Sequence, residues 1–553
     1  MKNLMEKGTK CLLVHPKCSI NGYWNYVEVC EIVGAKYPAA PLGLMTAAAL
    51  LPQQWQFKLI DTNVEPLRDE HLEWADIVGT GGMLPQQSAT LSIIERAHKF
   101  GRPVITGGPD PSSQPNLYQS SDYLVLGEGE ISIPLFIQAL EKGCTRGEFK
   151  SDEKAEMTEA VIPRFDLIHF KDYIQVGIQC TRGCPFNCEF CDVIEIFGRK
   201  PRSKSPEQII KELQTLYDLG HRGHIDFVDD NFIVNKQNTI KVLQAIKEWS
   251  EINKYPYYFS TESSINLADD ENLLQMMQAV DFRYVFIGIE TSDNKTLELT
   301  QKKLNVNRNV VKSVKKINSY GMIVNAGFII GFDSESDHTA ENMIKCIQES
   351  GICMAMLGKL YALPNTQLTR RLHKEGRLFE VDSRIRDGNT DVDQLTSGLN
   401  FLTARSRLDI LKDYVRIIKY IYDPEHYYER IIHTGLNLRP ANKYRPKMLS
   451  KLRMIKAFLT LCQKVGYNKT TGRLYWKMLL TIIFKNPKAV EATVNLAAMF
   501  IHFHKQSKFI IELTNQEISN IENLGEDKNH QLMLQTERNS NIPQEHSPTM
   551  INE

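Results

Sequence analysis

Cys184, Cys188 and Cys191 stand at C-x3-C-x2-C spacing in the stretch Cys180-Thr-Arg-Gly-Cys184-Pro-Phe-Asn-Cys188-Glu-Phe-Cys191. Gly183 and Pro185 favour a loop there. Thiols this close can all turn onto one centre, and three thiolates suit a soft site, zinc or an iron–sulfur cluster. A structural zinc normally closes its shell with a further Cys/His pair, and no such pair follows. Three ligands and one open position is what a cluster needs if one iron is to bind a substrate or cofactor. The plainer alternative is three buried core thiols, since free Cys is among the most buried residue types. Their spacing in a Gly- and Pro-flanked loop argues against it. Cys180 reads as a thiol at a strand end and is not counted as a ligand.

Residues 171–380 must carry that loop. Strands are expected at 173–180, 224–228, 257–260, 284–289, 324–330 and 358–363. An amphipathic helix is expected at 205–216, with Ser205 as N-cap and Pro206 at the first helical position. Several strands run into polar residues: Asp229 and Asp230, then Glu262, then Glu290. Polar groups at the C-terminal ends of successive parallel strands form the active-site rim of a β/α barrel.

Residues 1–140 read as a separate doubly wound α/β domain with a parallel, Rossmann-like sheet, its strands at 11–15, 57–61, 75–79, 103–106 and 123–126. Glycines follow three of them: Gly81 and Gly82, Gly107 and Gly108, and Gly127. They place bare backbone on the edge where open α/β sheets bind ligands. No G-x-G-x-x-G follows the first strand, which disfavours a dinucleotide. Residues 141–170 are charged and irregular, contain Pro163, and read as a linker. Residues 381–524 read as all helical, with periodic stretches at 408–422 and 477–504 carrying Lys and Arg on one face. The polar tail, 525–553, is expected to be disordered.

Composition narrows the class. The 66 Lys and Arg balance the 66 Asp and Glu, which argues against a general nucleic-acid binder. No apolar run precedes Cys11, so the eleven cysteines are expected to be reduced, in a cytoplasmic setting. No stretch reaches the ~20 apolar residues of a membrane span. A peripheral contact at the inner membrane face, through the basic and apolar C-terminal helices, is compatible with this pattern.

Cys184, Cys188 and Cys191, with Phe190 just before the last cysteine, resemble the cluster motif of the radical S-adenosylmethionine (SAM) superfamily. The resemblance implies a [4Fe-4S] cluster on the three cysteines, SAM on the fourth iron, Phe190 near its adenine, and a partial (β/α)6 barrel. It implies SAM contacts at Asp229, Glu262 and Glu290, with Asp230 a further candidate, because an ammonium wants a carboxylate and a ribose diol wants acceptors. Gly327-Phe-Ile-Ile-Gly331 resembles the glycine stretch beside the adenine, followed by Glu335 one position late. The N-terminal domain resembles the cobalamin-binding domain found ahead of many radical SAM domains, and Gly127-Glu-Gly-Glu130 resembles its last turn. Corrinoid contacts are thereby implied at Gly81, Gly82, Gly107, Gly108, Gly127 and Glu128. The cobalt-ligating histidine motif of other cobalamin proteins is missing, since Pro111, Ser112 and Ser113 follow Asp110, so no histidine on cobalt is expected. Met83–Gln87, Glu195–Arg199, Asp423-Pro424 and the helical third segment resemble the subgroup that includes bacterial hopanoid C-2 methylases.

The function so implied is a cobalamin-dependent radical SAM methyltransferase acting on an unactivated sp3 carbon of a small, lipid-like molecule such as a hopanoid. An external donor such as flavodoxin or ferredoxin would supply the electron. Two other outcomes stay open: a rearrangement or oxidation with the same cofactors, and a non-catalytic cobalamin or cluster carrier or sensor.

Overall fold

The computed structural model describes residues 4–18, 22–379 and 398–525. Two parallel sheets dominate. The first joins β1 (Lys10–His15), β3 (Gln56–Asp61), β4 (Ile77–Gly81), β5 (Val104–Gly107), β6 (Tyr123–Leu126) and β7 (Gly147–Lys150) in the order β3-β1-β4-β5-β6-β7. Its inner strands β1, β4, β5 and β6 are apolar on both faces because helices cover both. Leu12, Val14, Val78, Val104 and Leu124 pack on one side, and Cys11, Leu13, Ile77, Ile105 and Val125 on the other. Strand order reverses between β1 and β4, which puts the switch-point crevice beside Gly81. The stretch read as a linker carries β7, an edge strand parallel to β6. It is short and polar on alternate positions, so it leaves little apolar periodicity to find.

The second sheet orders β15 (Ala355–Lys359), β14 (Ile323–Ile330), β13 (Phe282–Glu290), β12 (Tyr257–Glu262), β11 (Gly223–Phe227), β8 (Tyr173–Ile178) and β2 (Tyr37–Ala39), all parallel. Period-2 alternation sends Ile225, Phe227, Phe259, Val285, Ile287 and Phe328 into the core under the outer helices. It sends Gln175, His224, Asp226, Ser260, Glu262 and Phe286 to the concave face. That is the half-barrel with a Rossmann-like neighbour and a helical C-terminal region that the sequence implies. Helix Pro206–Asp218 starts as expected: Ser205 accepts the Gln208 amide, and Gln208 returns the bond to the Ser205 amide at 2.8 Å. A capping box of this kind contributes about 1 kcal/mol.

The N-terminal segment crosses between the two sheets. After β1 the chain leaves the first sheet and adds β2 to the edge of the second. Helix Val27–Val33 packs on the long C-terminal helix Val490–Leu524, with Glu28 joined to Lys505 at 2.7 Å and His502 at 3.2 Å. The chain then returns as β3. The expected helical stretch at 477–504 is two helices, Gly472–Lys485 and Val490–Leu524. Pro487 lacks an amide for the ladder, and Asn486 turns its side-chain amide to the carbonyls of Gly435 and Leu438, both at 2.7 Å. The tail and the boundary at 380–381 lie outside the described residues.

Candidate active site

The three-cysteine loop is held from both ends. Upstream, β8 leads into a two-strand hairpin, β9 (Thr181–Arg182) with β10 (Arg202–Ser203). Asp229, just beyond β11, accepts the amides of Cys180 at 3.3 Å and of Thr181, and Asp230 accepts that of Gly183 at 3.0 Å. Gly183 has φ +88°, and a Cβ there would meet the carbonyl of Gly198 at 3.0 Å. That same carbonyl accepts the Cys184 amide at 3.2 Å. Downstream, the Glu189 amide donates to Thr300 O, its carbonyl accepts from Leu368, and its carboxylate pairs with Arg371 at 2.5 Å. The loop is thus clamped by the barrel rim on one side and by helix Gln367–Lys374 on the other.

The thiols of Cys184 and Cys188 are raised by burial, and that of Cys191 is pushed up to about 12 by burial and Asp192. A bound metal centre would take the protons' place. Lys302 opposes the shift at all three. It lies beside the loop, paired with Glu290 at 2.8 Å. Burial works against its charge, but Glu290 and the thiols outweigh burial and raise it. Among the described residues, no three His, Cys, Asp or Glu side chains close round a single ion. The three thiols share one electrostatic neighbourhood, since Cys188 acts on both Cys184 and Cys191.

The carboxylates expected together at the rim have different surroundings. Asp229 is 1% exposed, and burial pushes it up to about 7 against the two amides it accepts. Its carboxylate fastens the start of the loop through these two amides. Glu290 is also committed, through Lys302. It adopts φ +65°, a strained conformation for a residue with a Cβ, at a register shift between β13 and β14. Glu262 is open: its side chain is exposed on the concave face and has no hydrogen-bond partner among the described residues. Desolvation within the cleft, and after it the charges of Asp226, Asp230 and Asp229, push it up to about 8. Phe190 lies 5.8 Å from the ring of Phe332, next to Gly331. Gly331 donates its amide to both oxygens of Glu335, at 2.9 and 3.0 Å, so Glu335 fixes the turn after β14. Gly327 faces Phe286, whose ring is 3.1 Å from where a Cβ would sit.

At the other sheet, Gly81 and Gly107 meet backbone to backbone: a Cβ on Gly81 would lie 1.8 Å from the Gly107 carbonyl. Gly82 and Gly108 pack on the same corner. Gly127 is open, with only the Ser151 carbonyl within reach at 3.7 Å. The glycines let the chain ends after β4 and β5 pack closely beside the switch point. Glu128 has another role. Its side chain is fully buried and accepts from Arg202, Arg182 and the Ala155 amide. Glu130 pairs with Arg182 at 2.9 Å. Glu128 therefore has no side-chain surface left for a ligand and instead ties the first sheet to the hairpin that carries the cluster loop.

Sequence reading missed Lys302, Arg182 and Arg202. Arg182 could have been suspected from its place two residues before Cys184, whereas nothing local marks Lys302. It also missed a polar chain on the concave face, where Gln175 donates to Asp226, Asp226 accepts from Ser260, and Ser260 meets His224 at 2.7 Å. Trp24, carried over by the crossing N-terminal segment, packs on Phe286 at 5.3 Å and is half exposed.

Two family models match: the radical SAM superfamily over residues 178–347, and a domain of unknown function, DUF4070, over residues 366–516. An uncharacterized methyltransferase of Synechocystis sp. is 38% identical, over 92% of this chain and 93% of its own. The hopanoid C-2 methylase of Rhodopseudomonas palustris is 32% identical, over 86% of this chain and 89% of its own. The fold is shared with the cobalamin-dependent SAM radical enzyme OxsB, solved with aqua-cobalamin and SAM, at 16% identity and TM-score 0.57 over 96% of this chain and 83% of that one. It is also shared with the radical SAM methyltransferase TsrM of Kitasatospora setae, at 14% identity and TM-score 0.54 over 66% and 78%. The described elements and the full-length relatives agree: this chain is a radical SAM enzyme and belongs to the family of the hopanoid C-2 methylase.

Proposed function

We propose that the protein is a cobalamin-dependent radical SAM methyltransferase that adds a methyl group to an unactivated sp3 carbon of a polycyclic, lipid-like substrate of the hopanoid kind. The observation that carries this reading is the placement of two ligand-binding edges on either side of one clamped three-cysteine loop. The bare rim of the first sheet and the polar rim of the half-barrel are joined through Glu128, Arg182 and Arg202.

Cys184, Cys188 and Cys191 would hold the [4Fe-4S] cluster. Glu262 would receive the SAM ammonium, whose charge relieves the crowding among Glu262, Asp226 and Asp230. Phe190, Gly327 and Gly331 would border the adenine. Gly81, Gly82, Gly107, Gly108 and the backbone of Gly127 would lie under the corrinoid, where a bare edge suits a wide, flat ligand. When bound, these groups supply a radical able to take hydrogen from an unactivated carbon and a methyl group to replace it. The chain's own task is to place that carbon and exclude competing partners. Trp24 and Phe286 offer an apolar wall on the concave face. Lys302 holds positive charge beside the thiolates. The electron is supplied from outside, by a reduced flavodoxin or ferredoxin.

The test is made on lipid extracts from a host carrying the gene and from the same host without it. A triterpenoid heavier by one methyl in the first extract, together with corrinoid absorption bands in the purified protein, supports the reading. Corrinoid bands absent after reconstitution with cobalamin would overturn the cofactor assignment, and an unchanged lipid profile the substrate class.

A further inference from the structure

We infer that the helix Met448–Leu461 is a docking element for an anionic lipid bilayer surface. The sequence from Arg430 to Val490 holds fourteen Lys and Arg and no Asp or Glu, in a chain whose total charge is zero. A one-sign segment of this size is a built feature of the third domain, not the ordinary mixed surface of a soluble helix.

The helix lies almost bare on the molecule. From Lys447 to Lys456 every residue but Ser450 is exposed. Only its last turn is anchored, where Leu461 is buried and Ala457 and Phe458 are half buried. Met448, Leu452, Ile455 and Leu459 recur at i, i+4, i+7 and i+11, which puts them on one stripe. These four and the adjoining Leu449 are 55 to 73% exposed. Single exposed apolar residues are common, but a continuous stripe of five is costly in water. Lys451 and Lys456 fall on opposite flanks of the stripe. Neither they nor Lys447 and Arg453 pair with a carboxylate among the described residues. Lysines in those positions can reach the headgroups while their stems lie along the acyl boundary. The neighbouring helix Gly472–Lys485 repeats the pattern, exposing Trp476, Leu480, Ile483 and Phe484 with Arg473 and Lys477.

The chemistry chooses the occupant. A second copy of this chain would bring like charge onto like charge. A nucleic acid would use the cations but leave the Met, Leu and Ile stripe in water. An anionic bilayer uses both, and the helix lies in its surface without crossing, since no described helix is long and apolar enough to span. The inference rests on this surface alone and not on the proposed reaction, although a membrane-resident substrate would give it a purpose.

Flotation of the full chain with vesicles tests it, with no SAM, cluster or substrate present, so that its failure is separable from failure of the methyltransferase reading. Vesicles of phosphatidylcholine with about a third phosphatidylglycerol should carry the protein up at low salt, and pure phosphatidylcholine should carry far less. Reversing three charges, Lys451→Glu with Arg453→Glu and Lys456→Glu, should weaken anionic binding by about 100-fold or more. Leu452→Glu with Ile455→Glu should weaken it by at least about tenfold through the lost apolar contact. All five side chains are exposed, so the melting temperature should hold in both variants and confirms that they fold. Equal flotation of the wild type with neutral and anionic vesicles would overturn the inference. So would unchanged binding by both variants, a dimer lost in the Leu452→Glu, Ile455→Glu protein, or displacement of the vesicles by stoichiometric duplex DNA.

Discussion

The two parallel sheets end in opposite ways. In the first, β4, β5 and β6 run into glycines, and Gly81 meets Gly107 backbone to backbone, so the middle of that rim is made of backbone. The second ends in carboxylates, and most of these turn inward: Asp229 and Asp230 onto the cluster loop, Glu290 onto Lys302. Of the four, Glu262 alone has no side-chain hydrogen-bond partner among the described residues. A bare edge suits a wide cofactor held by its face, and a single open carboxylate suits a small cationic group. The first kind of edge is made by removing side chains, and the second by engaging carboxylates with backbone amides and Lys302 while Glu262 keeps no such partner among the described residues.

The largest effect should come from the loop between the sheets. Replacing any of Cys184, Cys188 or Cys191 by Ala should remove SAM cleavage to background, together with the iron content and cluster absorption of the anaerobically reconstituted protein. Cleavage retained in all three would separate the loop from the chemistry altogether.

Next in size is the link that holds the two edges in register. Glu128→Ala leaves Arg202 with only carbonyl partners in a buried site and should cost about 3–5 kcal/mol, read from denaturant unfolding. A surface-like cost below about 1 kcal/mol would show that the pairing does not fix the domains. Gly81→Val tests the first edge. Its Cβ has no room against the Gly107 carbonyl, so about 3 kcal/mol of stability should be lost along with corrinoid binding.

The second edge is sharpened by comparing two carboxylates. Glu262→Gln should weaken SAM binding about tenfold by calorimetry, with the iron content unchanged. Asp229→Asn should spare SAM contacts and instead loosen the loop, read as lower iron retention. The reverse pattern would exchange the two roles. A smaller effect is the pH dependence of the protein without cofactors. Asp229 sits at about 7 when folded, above its ordinary 3.8, so the native state holds its proton longer than the unfolded chain. Stability should therefore fall as pH rises from about 4 to about 7, and this slope should be shallower in Asp229→Asn.

The contrast between the edges also explains what could be read from the sequence. Glycines after Val78, Thr106 and Leu126 announce an edge by type, because only their lack of a side chain matters there. The cysteine spacing announces the loop for the same local reason. Carboxylates do not announce their partners. Asp229 and Glu262 both stand at strand ends, after Val228 and Thr261, and look alike in the chain, yet one accepts two amides of the Cys180–Thr181 segment and the other has no such partner among the described residues. Lys302 reaches the thiols from more than a hundred positions away in sequence. The strand Tyr37–Ala39 was illegible because it pairs with Tyr173 and Gln175 across the domain division. Each of these depends on tertiary placement that no local pattern encodes.

The central claim, methyl transfer initiated at the clamped cysteine loop, is tested most directly by counting the products made from SAM. The reconstituted enzyme is given SAM deuterated in its methyl group, reduced flavodoxin, cobalamin and a triterpenoid acceptor. The account predicts 5′-deoxyadenosine and S-adenosylhomocysteine in equal amounts, each matched by acceptor carrying the deuterated methyl. 5′-Deoxyadenosine formed with an altered but unmethylated acceptor, and with no S-adenosylhomocysteine, would contradict it.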